Sequence, residues 1–211
     1  MENKKKQLEA VNDIKLLMER SSRFTSLSGS SGIAAGIVAI AGAIVASLYL
    51  KIGFFEQANE IMIQHKDPLS ATALLIIVLA MFIFIFALIL AIFFSSKKAK
   101  RKKIIFWDRV AKRVFLNYFI FLLTGGIFCL ILLYYGIYFL IVSSMLTFYG
   151  LALINVSKFT FNEFAQLGII EICLGIISAF VTIYPLLFWL IGFGILHLIY
   201  GAYVYIKYEK V

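Results

Sequence analysis

Two ionisable side chains stand inside long apolar runs of this chain, Glu171 in LGIIEICLGII and His197 in FGILHLIYG. A carboxyl group in a hydrocarbon setting costs about 2.5 kcal/mol or more unless it is paired or hydrated, so an acid there is a functional candidate by default. An imidazole beside it adds a group that both donates and accepts a proton. Together they could bind a proton or a small molecule. Asn117, Asn155 and Tyr200 fall in the same half of their own apolar runs. With Glu171 and His197 they are expected to line a polar pocket opening to the cytoplasm.

The elements that must position these residues follow from hydropathy. The chain has 211 residues, of which 63% are hydrophobic and 15% charged, with a mean hydropathy of +0.98. Runs of about 18 or more apolar residues mark membrane-spanning helices. Six are predicted, over residues 33–50, 69–94, 114–134, 137–156, 167–184 and 185–206. The continuous apolar stretches 114–156 and 167–206 would each form a rod about twice the bilayer core if unbroken. They are divided at Gly136, within a run of interfacial tyrosines, and at Pro185, which interrupts the helical ladder. The expectation is an all-α polytopic membrane protein, residues 28–211, preceded by an amphipathic cytoplasmic arm, residues 1–27. Asp67-Pro68 reads as a helix start.

Orientation follows from charge. Six Lys/Arg lie in residues 1–27, nine in the stretch 95–113, one at Lys158, and two at Lys207 and Lys210. With six spans all eighteen fall on one side, leaving only Lys51 and Lys66 on the other. The positive-inside rule then places both termini and the basic loop 95–113 in the cytoplasm, across a bacterial inner membrane. The net charge of +9 is thus accounted for by topology, and no nucleic-acid partner is expected because no reading motif accompanies it. Lys97, Lys98, Lys100, Arg101, Lys102 and Lys103 form a cluster suited to anionic lipid or a partner protein, since each such charge near the surface contributes about 1 kcal/mol of attraction. The first span carries small residues, Gly32 and Gly36, then Ala35, Ala39 and Ala43. Such residues let helix backbones approach closely in lipid, against a neighbouring helix, a second copy or another membrane protein.

No catalytic residue and no cofactor is assigned. Phosphate loops, dinucleotide fingerprints and zinc spacings are lacking, and His65 and His197 belong to opposite halves of the membrane. Cys129 and Cys173 differ in expected depth by about 10 Å, too far for a disulfide. The segment Asp13–Ala43, DIKLLMERSSRFTSLSGSSGIAAGIVAIAGA, resembles a group of bacterial multi-span proteins of unassigned activity. They share its basic arm, SRF and SLSG motifs and small-residue span. The resemblance covers this segment alone and implies no catalytic residues. The carotene cleavage attached to some of that group would need iron held by four histidines, and this chain has two. Gly29-Ser30-Ser31-Gly32 with His197 resembles the serine motif and last-span histidine of rhomboid-type intramembrane proteases. In this chain the two would lie about 13 Å apart in depth, which argues against a hydrolase. A binding or transport protein, or a structural scaffold, is expected ahead of an enzyme.

Overall fold

The computed structural model describes Phe24, residues 26–55 and residues 71–210. The expected amphipathic arm up to Arg23, the Asp67-Pro68 helix start, and Lys66 and His65 lie outside the described residues. The described chain is all-helical, and six of its helices are long and apolar enough to cross a membrane. They are α1 (Gly29–Leu50), α2 (Ala71–Arg101), α3 (Arg109–Tyr134), α4 (Ile141–Ser157), entered through a 3-10 turn at Tyr138–Leu140, and α5 (Glu163–Phe180). The sixth span is composite: α6 (Pro185–Trp189), a π-helical segment (Leu190–Leu196) and α7 (His197–Tyr208).

Local chemistry sets most of the boundaries. Gly136 adopts a φ of 70°, a left-handed conformation that glycine enters without steric penalty. The chain therefore turns between α3 and α4 where expected. Pro185 occupies the first turn of α6, where its missing N–H leaves no partner unsatisfied. Asp108 caps α3 by accepting a 2.7 Å hydrogen bond from the Ala111 N–H. The basic stretch 95–113 is helical at both ends, because α2 continues through Arg101 and α3 begins at Arg109. Lysine, arginine and alanine favour a helix. A rod of 31 residues is about 46 Å long and overreaches the ~30 Å hydrocarbon core, so its charged turns emerge beyond it.

α1 lies between α2 and the sixth span, α4 lies between α3 and α5, and the sixth span closes the bundle against α4 and α5. Gly32 and Gly36 face the backbone of the sixth span at Gly201 and Gly194, while Gly42 faces Ile83 of α2. Ala39 and Ala43 are buried and Ala35 is half-buried. α4 and α5 meet through opposed glycines, Gly150 and Gly168, and the Ser143 hydroxyl donates across this seam to the Gly175 carbonyl at 2.7 Å. α2 presents bulky side chains such as Val78, Met81 and Phe82 outward, as a lipid-facing helix should.

One end of the bundle gathers the charged connections. Glu209, just past α7, accepts hydrogen bonds from the Gly29 N–H at 2.5 Å and the Ser28 hydroxyl at 3.0 Å. It thereby caps α1, whose own Ser28 side chain makes no cap bond. Lys98 of α2 pairs with the same carboxylate at 3.3 Å and donates to the Leu27 carbonyl at 2.5 Å. Beside this latch, Glu163 accepts from Lys207 at 2.6 Å and from the Tyr208 hydroxyl at 2.9 Å. α1 starts at Gly29, four residues ahead of the predicted 33, because its cap comes from the far end of the chain. Glu209→Ala would strand the buried Lys98 ammonium and remove two cap bonds. It is expected to lower stability by about 2–4 kcal/mol, measured by thermal unfolding in detergent, with helix content retained below the transition.

Candidate functional site

Four helices contribute to one layer of the bundle. Glu171 lies eight residues into α5, about 12 Å below its charged end, and His197 opens α7 from the π-helical segment. The Glu171 side chain is 0% exposed. Neither of its carboxyl oxygens has a hydrogen-bond partner among the described residues. Buried polar groups are nearly always hydrogen-bonded, so an orphaned carboxyl calls for an explanation. The His197 ring faces it, with Nδ1 3.7 Å from Oε1. That is ion-pair range but too long for a hydrogen bond.

The ring is held by two other partners. Nδ1 lies 3.0 Å from the Gly192 carbonyl oxygen and Nε2 lies 2.5 Å from the Tyr149 hydroxyl. A carbonyl can only accept, so Nδ1 carries the proton toward Gly192, and in the neutral ring Nε2 accepts from Tyr149. Gly192 belongs to the π-helical segment, a wider turn often found at functional sites. Its missing side chain is used: a Cβ there would come within 2.9 Å of Glu171 Oε2 and against Leu146 and Leu174. Tyr149 packs against His197 at a ring separation of 5.2 Å and against Tyr118 of α3 at 6.2 Å, nearly perpendicular. Phe193 covers the other flank, 5.4 Å from Tyr149.

The five polar residues expected to form one pocket separate into three places. Glu171 and His197 come together. Asn155 donates to Asn117 at 3.2 Å, and Asn117 donates to the Arg113 carbonyl at 2.8 Å, so these two tie α3 to α4. Tyr200 lines an open groove with Gln166, Ile199 and Tyr203. Helix rotation explains the separation, since residues at equal depth can face different neighbours. The Ser31 hydroxyl donates to the Ser28 carbonyl at 2.5 Å while both His197 nitrogens have other partners, so no serine–histidine dyad forms. Cys129 and Cys173 are free. No group of three or more His, Cys, Asp or Glu is placed to hold a metal ion among the described residues. Of the basic cluster, Lys97, Lys100, Arg101, Lys102 and Lys103 are exposed, whereas Lys98 is committed to the Glu209 latch.

Sequence reasoning did not bring in Tyr149, Tyr118 or Gly192. The available signal was weak: a tyrosine well inside an apolar run, and the GFG triplet four residues before His197. Comparison of the chain with family models, curated proteins and solved structures finds no match.

Proposed function

We propose that this chain is a multi-pass inner-membrane protein, with both termini cytoplasmic, that binds and moves a proton or small polar solute at Glu171 and His197. The observation that carries the reading is the fully buried Glu171 carboxyl, without a hydrogen-bond partner and 3.7 Å from the His197 ring. A structural acid is normally paired, as Glu209 is with Lys98 and Glu163 is, through one oxygen, with Lys207, whereas both oxygens of Glu171 lack a hydrogen-bond partner among the described residues. Glu171 is left available. The eighteen-to-two charge count supports the orientation, which sets the layer about 12 Å from the cytoplasmic end. The test is uptake into vesicles reconstituted with wild type or Glu171→Gln, following an internal pH dye and labelled small solutes. Loss of uptake in a folded variant supports the reading; equal uptake by the two proteins overturns it.

A second reading is a scaffold on anionic lipid. The last turn of α2 and the connection after it combine the exposed Lys100, Arg101, Lys102 and Lys103 with Ile105, 78% exposed, and Trp107, 52% exposed. Changing Lys100, Arg101, Lys102 and Lys103 to glutamine is expected to abolish a preference for anionic over zwitterionic lipid in mixed nanodiscs. An unchanged preference would leave these charges as topology determinants alone.

A further inference from the structure

We propose that the species taken by this site is a proton, and that His197 relays it between Tyr149 and Glu171 by using its two ring nitrogens in turn. This rests on the reading of Glu171 and His197 as the functional pair and names its ligand. The geometry selects against larger occupants. The Glu171 carboxyl is fully buried, and a single methyl added at Gly192 would collide with its Oε2 and with Leu146 and Leu174. A metal or sodium ion would need several oxygen ligands. The Gly192 carbonyl and the Tyr149 hydroxyl are both engaged by the His197 ring, and no group of three or more His, Cys, Asp or Glu is placed to hold a metal ion among the described residues. An isolated ionised carboxyl without water or donors is so unfavourable that such groups take up a proton instead.

The ring is already poised between two arrangements. In the one described, Nδ1–H points at Gly192 O and Tyr149 O–H donates to Nε2, and the step starts from it once Glu171 has released its proton and stands as the carboxylate. In the other, Nε2–H donates to Tyr149 O and Nδ1 accepts from a protonated Glu171. The Tyr149 O–H bond breaks as an Nε2–H bond forms. The Nδ1–H bond breaks as an O–H bond forms on Glu171 Oε1. The Tyr149 oxygen is reprotonated by a proton from the aqueous phase. One proton therefore enters beside Tyr149 and one arrives at Glu171, while the imidazole ends neutral in its other tautomer. The 3.7 Å gap between Nδ1 and Oε1 needs to close by less than 1 Å to reach hydrogen-bonding distance. Tyr149 and Tyr118 are the other titratable groups of this layer, contributed by α4 and α3. Gly192 is a positioning residue: its carbonyl holds Nδ1 in the resting arrangement.

The experiment is rapid-mixing infrared spectroscopy of full-length protein in lipid after a pH jump, following the carbonyl band of a protonated carboxylic acid. Wild type is expected to show one such titrating band, absent from Glu171→Gln. In Tyr149→Phe the band is expected to persist at equilibrium but to form at least tenfold more slowly, since a positioned proton donor is worth about 10²-fold or more. A band that forms at the wild-type rate in Tyr149→Phe overturns the relay while leaving Glu171 as a proton site. Absence of any band assignable to Glu171 overturns the proton as ligand, with the solute-uptake comparison then judging the site itself. Helix content and the melting temperature of each variant identify any that fails to fold, and Tyr149→Trp, whose N–H can donate a hydrogen bond but not give up its proton, is expected to be as slow as Tyr149→Phe.

Discussion

Glu171→Gln is expected to abolish uptake while the helical bundle stays intact, an activity loss of at least tenfold against a modest change in stability. The amide has nearly the shape of the carboxyl, so the enclosure by Leu146, Leu174 and Gly192 is not disturbed by volume. Its N–H donors enter a place where the carboxyl oxygens themselves have no partners among the described residues. The change therefore exchanges one unsatisfied polar group for another, and the expected difference is within about 1–3 kcal/mol. What the amide cannot do is gain and lose a proton. Glu163→Gln provides the contrast, because it weakens the 2.6 Å contact with Lys207 at the charged end of the bundle. It is expected to lower the melting temperature and leave uptake per folded molecule unchanged. Vesicle uptake and thermal unfolding of the same two preparations separate the effects.

Gly150→Val is expected to be among the most destabilising single substitutions in the chain. A Cβ at Gly150 would stand 2.5 Å from the Gly168 carbonyl oxygen and 3.0 Å from the Ile172 nitrogen. Both are backbone atoms of α5, so no side chain can swing away, and α4 and α5 would have to separate. Overpacking of this kind costs typically 1–3 kcal/mol, and valine is placed at the upper end because its two further methyls extend the clash. The separation would also carry Tyr149, adjacent in sequence, away from His197, and so would reduce uptake in the fraction that folds. Gly126→Ala is the matched control, since a Cβ there meets nothing within 4 Å. It replaces a weak helix former with the best one, for a gain of up to about 1 kcal/mol. A melting temperature for Gly150→Val equal to that of wild type would refute the backbone seam between α4 and α5.

The six spans were legible because bilayer thickness imposes its length on the apolar runs, and Gly136 and Pro185 mark the two internal breaks by their backbone preferences. The limits of α1 and α2 were less so. Hydropathy ends a span where charge begins, yet α2 continues through Lys97–Arg101 as a helix in a more polar setting. The start of α1 depends on Glu209, a partner 180 residues distant. Glu171 and His197 were singled out because an ionisable group inside an apolar run has few explanations. Their neighbours could not be ranked in the same way. Asn117, Asn155 and Tyr200 share approximate depth with them but not helix face, and face depends on how each rod is rotated in the bundle. The π-helical segment and the use of Gly192 likewise arise from packing among four helices. Lys98 resembles its exposed neighbours in every local respect and differs only in pointing toward Glu209.

The proposed uptake and release of a proton at Glu171 rests on a fully buried carboxyl within an apolar helix. It is tested most directly by labelling the protein in lipid with a membrane-soluble carbodiimide, which reacts with protonated carboxyl groups, and mapping the adducts by mass spectrometry across a range of pH. Labelling is expected at Glu171, in preference to Glu163 and Glu209, and is expected to fall as the pH is raised. An unlabelled Glu171 at every pH, or labelling there that does not change with pH, would contradict it.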